Sequence, residues 1–163
     1  AGGGWGGRLP FAGAAAPGPF SAFTGYQRVI SVLEGEGMRL NVDGVDSRAL
    51  KALDAFAFDG ASAVECTLLG GAIRDFNLIY SPTRYRARLQ WLKVDGATHF
   101  FSSASTVLLF SAGEGIHSSL NGEAGGVLGL HDTLIAESDG ALREWRFAVA
   151  GSADICVIEL DPR

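Results

Sequence analysis

The sequence is poor in the groups from which many functional sites are built. Only 19% of its 163 residues are charged, and it contains three histidines, two cysteines and one methionine. A formal net charge of −5 gives no general attraction for nucleic acid or an anionic membrane surface. Residues 1–11 lack the regions of a signal peptide, and no apolar run approaches the roughly 18 residues of a membrane span. We therefore expect a cytoplasmic protein with neither a nucleic-acid nor a membrane partner.

Cys66 and Cys156 are the only cysteines, and each lies in an apolar segment of strand-like composition. Two reduced thiols in the core of a cytosolic protein are the favoured interpretation. A disulfide and a catalytic thiol stay open as alternatives. No basic residue adjoins either cysteine in the sequence, which disfavours an activated thiolate.

Short strands and tight turns are what the sequence does provide. Hydrophobic residues make up 47% of the chain, and Gly numbers 23. From Gln27 onward, apolar and β-branched segments recur between turn signals such as Asp43-Gly44. About ten to twelve strands with little room for crossover helices predict an all-β protein, built as an antiparallel sandwich or barrel. Residues 1–163 show no internal boundary, so we expect a single domain.

Some segments are predicted in more detail. Residues 84–94 and 98–110 are expected to be separate strands, the second broken near Ser103, and the C-terminal region is expected to form strands at 143–150 and 154–160. Residues 1–19, which are rich in Gly, Ala and Pro, predict an irregular lead-in with one short strand.

Two further segments are not expected to be strands. Residues 47–56 predict one short helix, because three large apolar residues recur at helical spacing after a serine that can cap it. Residues 112–126, rich in Gly, Ser and Asn, predict a long surface loop, with a lid over a pocket as the alternative.

Two blocks of the sequence resemble a known family. The first runs from Gly18 to Leu40 and reads GPFSAFTGYQRVISVLEGEGMRL. The second consists of FAFDG at 56–60 followed by LLGGAIRDFNLI at 68–79. Together these blocks are similar to the HutD/Ves family of bacterial cupin-like proteins. The resemblance covers residues 17–81 well, and the C-terminal half agrees in its strand rhythm.

The resemblance implies both a fold and a biological context. The fold would be a cupin-type (RmlC-like) double-stranded β-helix, arranged as a bicupin barrel. The context would be bacterial histidine utilisation, in which family members are suspected of binding a small acidic or formylated intermediate. The family begins with a Trp-x-Asn-Gly-Gly-Gly-type segment, of which AGGGW at residues 1–5 would be the remnant. The interval from there to Gly18 is shorter than the family's usual first strands.

The metal ligands of a functional cupin are missing from this sequence. Such a site takes two His separated by one residue, a Glu, and a third His from a later strand. The corresponding region here reads FSAF at residues 20–23, and His99, His117 and His131 lie far apart in the chain. We therefore expect no metal and no cofactor, and isolated histidines in all three places. His131, which stands beside Asp132, is kept as an outside candidate.

Asp75 and Asn77 are the first two candidates for ligand binding. In a strand over residues 72–80 they share one face, and short polar side chains are costly to bury unless they are hydrogen-bonded. They are interpreted either as polar groups in the mouth of a barrel or as a clamp that satisfies backbone groups within the sheet.

Arg28 and Ser21 complete the candidate set. The guanidinium of Arg28 has the geometry to bind a carboxylate or a formyl oxygen, while an ion pair with Asp75 or Glu34 is the structural alternative. Ser21 would donate to the same ligand or cap the turn before it.

No catalytic residue is assigned from the sequence. It contains no nucleophile elbow, no cysteine–histidine pairing at a recognisable spacing and no phosphate loop. The alternating residues Arg84, Arg86, Arg88 and Gln90 predict a solvated outer strand face, with a basic stripe for an anionic partner as the alternative.

The sequence as a whole predicts a metal-independent protein that binds a small acidic or formylated metabolite. Its role would be that of an accessory or regulatory factor in histidine utilisation. The alternative is a metal-independent enzyme in which Asp75 is the general base, since a carboxylate in a partly apolar barrel can have the raised pKa such a base needs. A homodimer formed through an exposed sheet face is a further prediction.

Overall fold

The computed structural model describes the backbone of residues 7–163 and the side chains of residues 15–163. All regular secondary structure in this part of the chain is β-strand. By its internal contacts the chain divides into two compact units, residues 1–84 and residues 85–163. The expectation of a single domain over residues 1–163 stays a prediction.

The first unit is made of two sheets of four strands each. Its strands are β1 (Gly7–Ala15), β2 (Gly18–Pro19), β3 (Gln27–Glu34), β4 (Met38–Val42), β5 (Val45–Asp46), β6 (Ala55–Asp59), β7 (Val64–Leu68) and β8 (Ile73–Tyr80). One sheet has the order β1-β8-β3-β6 and the other β2-β7-β4-β5, with antiparallel neighbours throughout. Because side chains alternate along a strand, Ile30 and Val32 of β3 and Met38 and Leu40 of β4 all point into one buried core.

The second unit is dominated by two very long strands. Its strands are β9 (Tyr85–Ser102), β10 (Thr106–Ser111), β11 (Ile116–Leu120), β12 (Glu123–Leu128), β13 (Thr133–Glu137) and β14 (Arg143–Pro162). They form a sheet of order β12-β11-β14-β10-β13, and β9 pairs with β14 from Tyr85 to Ser102. The core contains a stack of three aromatic rings: Phe147 lies 5.9 Å from Phe100 and 6.4 Å from Trp145 between ring centroids.

The long strands correct the predicted chain breaks in this half. Residues 84–94 and 98–110 were predicted as separate strands, but β9 runs without interruption to Ser102. β14 likewise joins the two segments predicted at 143–150 and 154–160. Gly96 and Gly151 lie in the two predicted gaps, and their left-handed φ angles of 71° and 80° let both strands bend at an irregularity of the ladder without ending. The predicted break near Ser103 is confirmed, since β10 starts at Thr106.

The prediction of a short helix at 47–56 is wrong. Leu50 exchanges backbone hydrogen bonds of 2.8 and 3.0 Å with Met38, and the Leu53 amide donates to the Val32 carbonyl at 2.7 Å. These strand partners take the groups that a helix would pair internally. Leu53 also has a φ of 63°, which a right-handed helix does not allow. The helical spacing of the leucines arose because Leu50 is a fully buried core residue of the β structure.

Two further segments are more ordered than the sequence predicted. The predicted loop at 112–126 contains β11 and most of β12, joined by Asn121-Gly122 with φ angles of 50° and 82°. An Asn-Gly pair with two positive φ angles is a favoured hairpin turn, so the signal was present. In the lead-in, β1 is a nine-residue strand paired with β8. The AGGGW segment at 1–5 lies outside the described residues.

Cys66 and Cys156 are both free and buried, which confirms the prediction of reduced core thiols. Burial raises the pKa of each thiol, so neither is disposed to act as a nucleophilic thiolate. In the described part of the chain, no helix has the length and apolar character needed to cross a membrane.

The aromatic stack predicts that two phenylalanines of the second unit differ strongly in their contribution to the free energy of unfolding. Phe147→Ala removes a ring that is 1% exposed, and we expect the free energy of unfolding to fall by about 3–5 kcal/mol. The matched change Phe101→Ala removes a ring that is 56% exposed and should cost less than about 1 kcal/mol. Urea denaturation followed by tryptophan fluorescence measures both. Equal losses of unfolding free energy in the two variants would show that the aromatic stack stabilises the core no more than an exposed ring does.

Candidate functional site

The four polar residues predicted to bind a ligand line one cavity in the first unit. It has a volume of about 350 Å³, and Ser21, Arg28, Asp75 and Asn77 all contribute to its wall. The remaining lining residues come from the chain before β3: Ala15, Ala16, Pro17, Pro19, Phe20 and Phe23. The lining residues, which lie up to 62 positions apart in the sequence (Ala15 to Asn77), therefore meet where β3 and β8 are paired.

Arg28 is the most constrained of the four. The residue is only 6% exposed. Its guanidinium carbon lies 5.3 Å from the ring centroid of Phe20, 5.2 Å from that of Phe23 and 5.0 Å from that of Phe58. Aromatic faces carry partial negative charge and attract a cation at this range. Three rings thus hold the charge where water reaches it poorly.

Hydrogen bonds fix the orientation of the same guanidinium. Nη1 of Arg28 donates to the Ser21 carbonyl oxygen at 3.2 Å, and Nη2 donates to Oδ1 of Asn77 at 3.2 Å. The expected structural partner Glu34 lies instead 4.0 Å from Arg74, with both side chains exposed. The backbone of Ser21 therefore anchors Arg28, and the Ser21 side chain is exposed at the cavity wall.

Asn77 links Arg28 to Asp75. Its Oδ1 accepts from Arg28 while its Nδ2 donates to Oδ2 of Asp75 at 3.1 Å. Burial raises the pKa of Asp75, although the hydrogen bond from Asn77 and the positive charge of Arg28 oppose that rise. The pair is therefore part of a cavity wall, and its two hydrogen bonds join side chains, whereas the predicted clamp was one that satisfies backbone groups.

Gly60 allows the loop between β2 and β3 to lie close enough for this arrangement. The Phe23 amide donates to the Gly60 carbonyl at 2.7 Å, and the Gly60 amide donates to the Tyr26 carbonyl at 2.7 Å. A Cβ atom at Gly60 would stand 2.4 Å from the Phe23 carbonyl oxygen, a distance at which the backbone must shift. Gly60, which ends the FAFDG block, therefore keeps Phe23 in place. The rings of Phe20, Phe23 and Phe58 together form a cage around Arg28.

The phenylalanines of the cage are the site residues that sequence reasoning missed. Phe20 and Phe23 were considered only as replacements for metal-binding histidines, and Phe58 was part of a family block without a role. A signal was available, because a buried arginine needs compensation and aromatic residues are common partners of a guanidinium.

None of the three histidines lines this cavity. His131 stacks on Phe110 with 5.7 Å between ring centroids, and its backbone has a φ of 63°. His99 and His117 both line a separate groove of the second unit. Among the side chains that the structure describes, no group of three or more His, Cys, Asp or Glu could hold a metal ion.

The arginine stripe predicted at residues 84–88 lies at the start of β9, and its arginine side chains are exposed to solvent. Arg84, Arg86 and Arg88 are exposed, while the opposite residues Tyr85 and Leu89 are half-buried. Arg88 lies 3.8 Å from Glu159 of β14. The predicted solvated face is confirmed for the arginines.

The chemistry of the cavity suits an anion or a polar carbonyl group. It combines a desolvated cation, an amide fixed by two contacts, and a carboxyl group with a raised pKa. A ligand carboxylate placed here would gain from Arg28, and a ligand hydrogen-bond donor would be accepted by Asp75.

Comparison with known sequences gives a consistent result. The HutD family pattern matches residues 1–157. An uncharacterised 21.2 kDa protein in the hutC 3′ region of Pseudomonas putida is 52% identical over 160 residues, which cover 98% of this chain and 81% of that protein. Protein Ves of Escherichia fergusonii is 33% identical over 84 residues, which cover 51% of this chain and 44% of Ves.

Solved structures agree with both the family and the fold. HutD from Pseudomonas fluorescens SBW25 superposes with a TM-score of 0.80 at 46% identity, covering 97% of this chain and 80% of HutD. YhaK from Escherichia coli has a TM-score of 0.74 at 13% identity, covering 95% of this chain and 85% of YhaK. Salicylate 1,2-dioxygenase from Pseudoaminobacter salicylatoxidans has a TM-score of 0.59 at 9% identity, covering 92% and 68% of the two chains. YhaK and the dioxygenase are cupin proteins, so the all-β cupin fold is confirmed, and the chain belongs to the HutD family.

Proposed function

We propose that this protein binds a small acidic or formylated metabolite in the cavity lined by Ser21, Arg28, Asp75 and Asn77. The observation that carries the proposal is the buried cation of Arg28 in the wall of that cavity. A positive charge removed from water gains strongly from an anion that reaches it. The protein would act without a metal, as an accessory or regulatory factor in the cytoplasm.

The size of the cavity limits the ligand. Its volume of about 350 Å³ lies at the lower end of small-molecule pockets, which suits a metabolite rather than a polymer. The Pseudomonas putida relative is named for its position in the hutC 3′ region, and the Pseudomonas fluorescens HutD structure is described as a formate condition. These names support ligands related to histidine breakdown, such as urocanate, formylglutamate, glutamate and formate.

The first prediction concerns the charge of Arg28. We expect at least one of these four compounds to bind in a calorimetric titration, and Arg28→Met to weaken its binding by about tenfold or more. Methionine keeps an apolar stem among the three phenylalanine rings, so the variant should remain folded.

A matched control is available in the same unit. Arg48 also lies over a phenylalanine, with 5.6 Å to the ring centroid of Phe56, but it pairs with Asp54 outside the cavity. Arg48→Met should leave ligand affinity unchanged. If no compound binds, or if Arg28→Met and Arg48→Met behave alike, the proposal is wrong.

The second prediction follows from the carboxyl group of Asp75. An anion bound beside Asp75 favours its neutral form, so the pKa of this group, already raised by burial, should rise further in the complex. The complex then holds a proton more tightly than the free protein, and binding takes one up. Affinity should therefore fall as the pH rises, by about tenfold per pH unit between the two pKa values of Asp75.

Proton uptake can be measured directly by calorimetry in two buffers of different ionisation enthalpy. Asp75→Asn carries a neutral side chain at every pH, so it should bind without proton uptake and with little pH dependence. Asp59→Asn, an exposed change in the same unit, should retain the uptake of the parent protein. If the parent protein binds the ligand without proton uptake, Asp75 does not interact with the bound ligand.

An enzymatic role for the same cavity is the second candidate, and the raised pKa of Asp75 favours it. In that case Asp75 would be a general base that abstracts a proton from a bound intermediate of histidine degradation. Turnover of one of the four compounds, lost in Asp75→Asn while binding persists, would support the enzyme. Binding without turnover would leave the binding protein.

A further inference from the structure

The second unit contains a groove that the proposed function does not use. It has a volume of about 600 Å³ and lies where β9, β11, β12 and β14 meet. His99, His117 and Arg146 line it together with the hydroxyl-bearing Thr98 and Ser119. Histidines 18 positions apart in the sequence are thus brought to one surface.

The strand register explains how these side chains come together. Ser119 of β11 is paired with Arg146 of β14, and Arg146 is paired with His99 of β9. In the next row on the same face, His117 is paired with Ala148. Directly paired residues of antiparallel strands have Cβ atoms about 4.5–5.5 Å apart, and diagonal neighbours are about 7–8 Å apart. Both imidazoles are therefore close neighbours of Arg146.

Small residues form the floor of the groove. Ala97 and Ala148 lie between the longer histidine and arginine side chains, and the β12 strand contributes Ala124 and Gly126. The β11–β12 ladder has an irregularity between Ser118 and Ser119, which increases the local twist of the hairpin. The groove therefore combines small residues with the longer side chains of His99, His117 and Arg146.

Among the described residues that line the groove there is one guanidinium, that of Arg146, and it forms an ion pair with Glu144. No Asp or Glu is among these lining residues, although the chain has a net charge of −5. Glu144 accepts a hydrogen bond from Nε of Arg146, Asp95 lies four residues before His99 in β9, and Glu123 directly precedes the lining residue Ala124 in β12. A guanidinium has more donors than this single contact uses.

We propose that this groove is a second binding site, for a small molecule bearing a carboxylate or phosphate group. Arg146 would bind the anionic group, and Ser119, which is paired with Arg146, would donate a hydrogen bond to it. His99 and His117 would each donate an imidazole N–H to the same group. The lining residues of this groove are all different from those of the Arg28 cavity.

Nuclear magnetic resonance of the imidazole groups tests the proposal. Inorganic phosphate and glutarate are titrated separately into the full chain at neutral pH. We expect at least one of them to shift the His99 and His117 resonances saturably, with half-saturation at about 1 mM or below. Saturation by phosphate alone or by glutarate alone identifies which anionic group the site prefers.

Two variants make the result specific. Arg146→Gln should abolish the saturable shifts while leaving the rest of the spectrum intact, since this residue is exposed. Arg88→Gln removes another exposed arginine of the same unit, one that lies near Glu159 rather than in the groove, and should bind as the parent does. Linear shifts that never saturate, or saturation that survives Arg146→Gln, would overturn the proposal.

Discussion

The burial of Arg28 is the constraint around which the first unit is organised. A charge removed from water is tolerated only where other groups replace its hydration. Here three aromatic rings, one backbone carbonyl and one amide oxygen supply that replacement. These groups come from three segments, namely the loop before β3, strand β6 and strand β8, so all three must be in position together with β3 itself. The conformation of this loop and the shape of the cavity follow from the same requirement.

Asn77 lies between the positively charged group and the carboxyl group of the cavity and is hydrogen-bonded to both. Its carbonyl end accepts a hydrogen bond from the cation and its amino end donates one to the carboxyl group of Asp75, so a single side chain connects the two. Asp75 keeps a raised pKa because Arg28 does not neutralise it fully against the cost of burial. A site of this kind has a positive group and a proton-accepting group side by side, which suits recognition of an acid by both its charge and its proton.

The strands were more predictable than the segments between them. Alternation of apolar residues identifies a strand locally, and it located β8 closely, since the strand predicted at 72–80 is observed at Ile73–Tyr80. The helix predicted at residues 47–56 was wrong because the same apolar spacing also fits an irregular segment whose leucine is buried by neighbouring strands. The chain breaks predicted around Gly96 and Gly151 were wrong for a related reason. A glycine that ends a strand and a glycine that bends it cannot be told apart until the partner strand is known. The hairpin at 112–126 was missed although its Asn-Gly turn was present.

From the sequence alone came the all-β class, the resemblance to HutD, the absence of a cupin metal motif and the four polar residues of the cavity. These depend on local alternation and on motifs that can be recognised within one stretch of chain. Only the tertiary structure decided that Phe20, Phe23 and Phe58 surround Arg28, and that His99 and His117 flank Arg146. Those groupings depend on strand order and register, which long-range pairing sets and which no local spacing encodes.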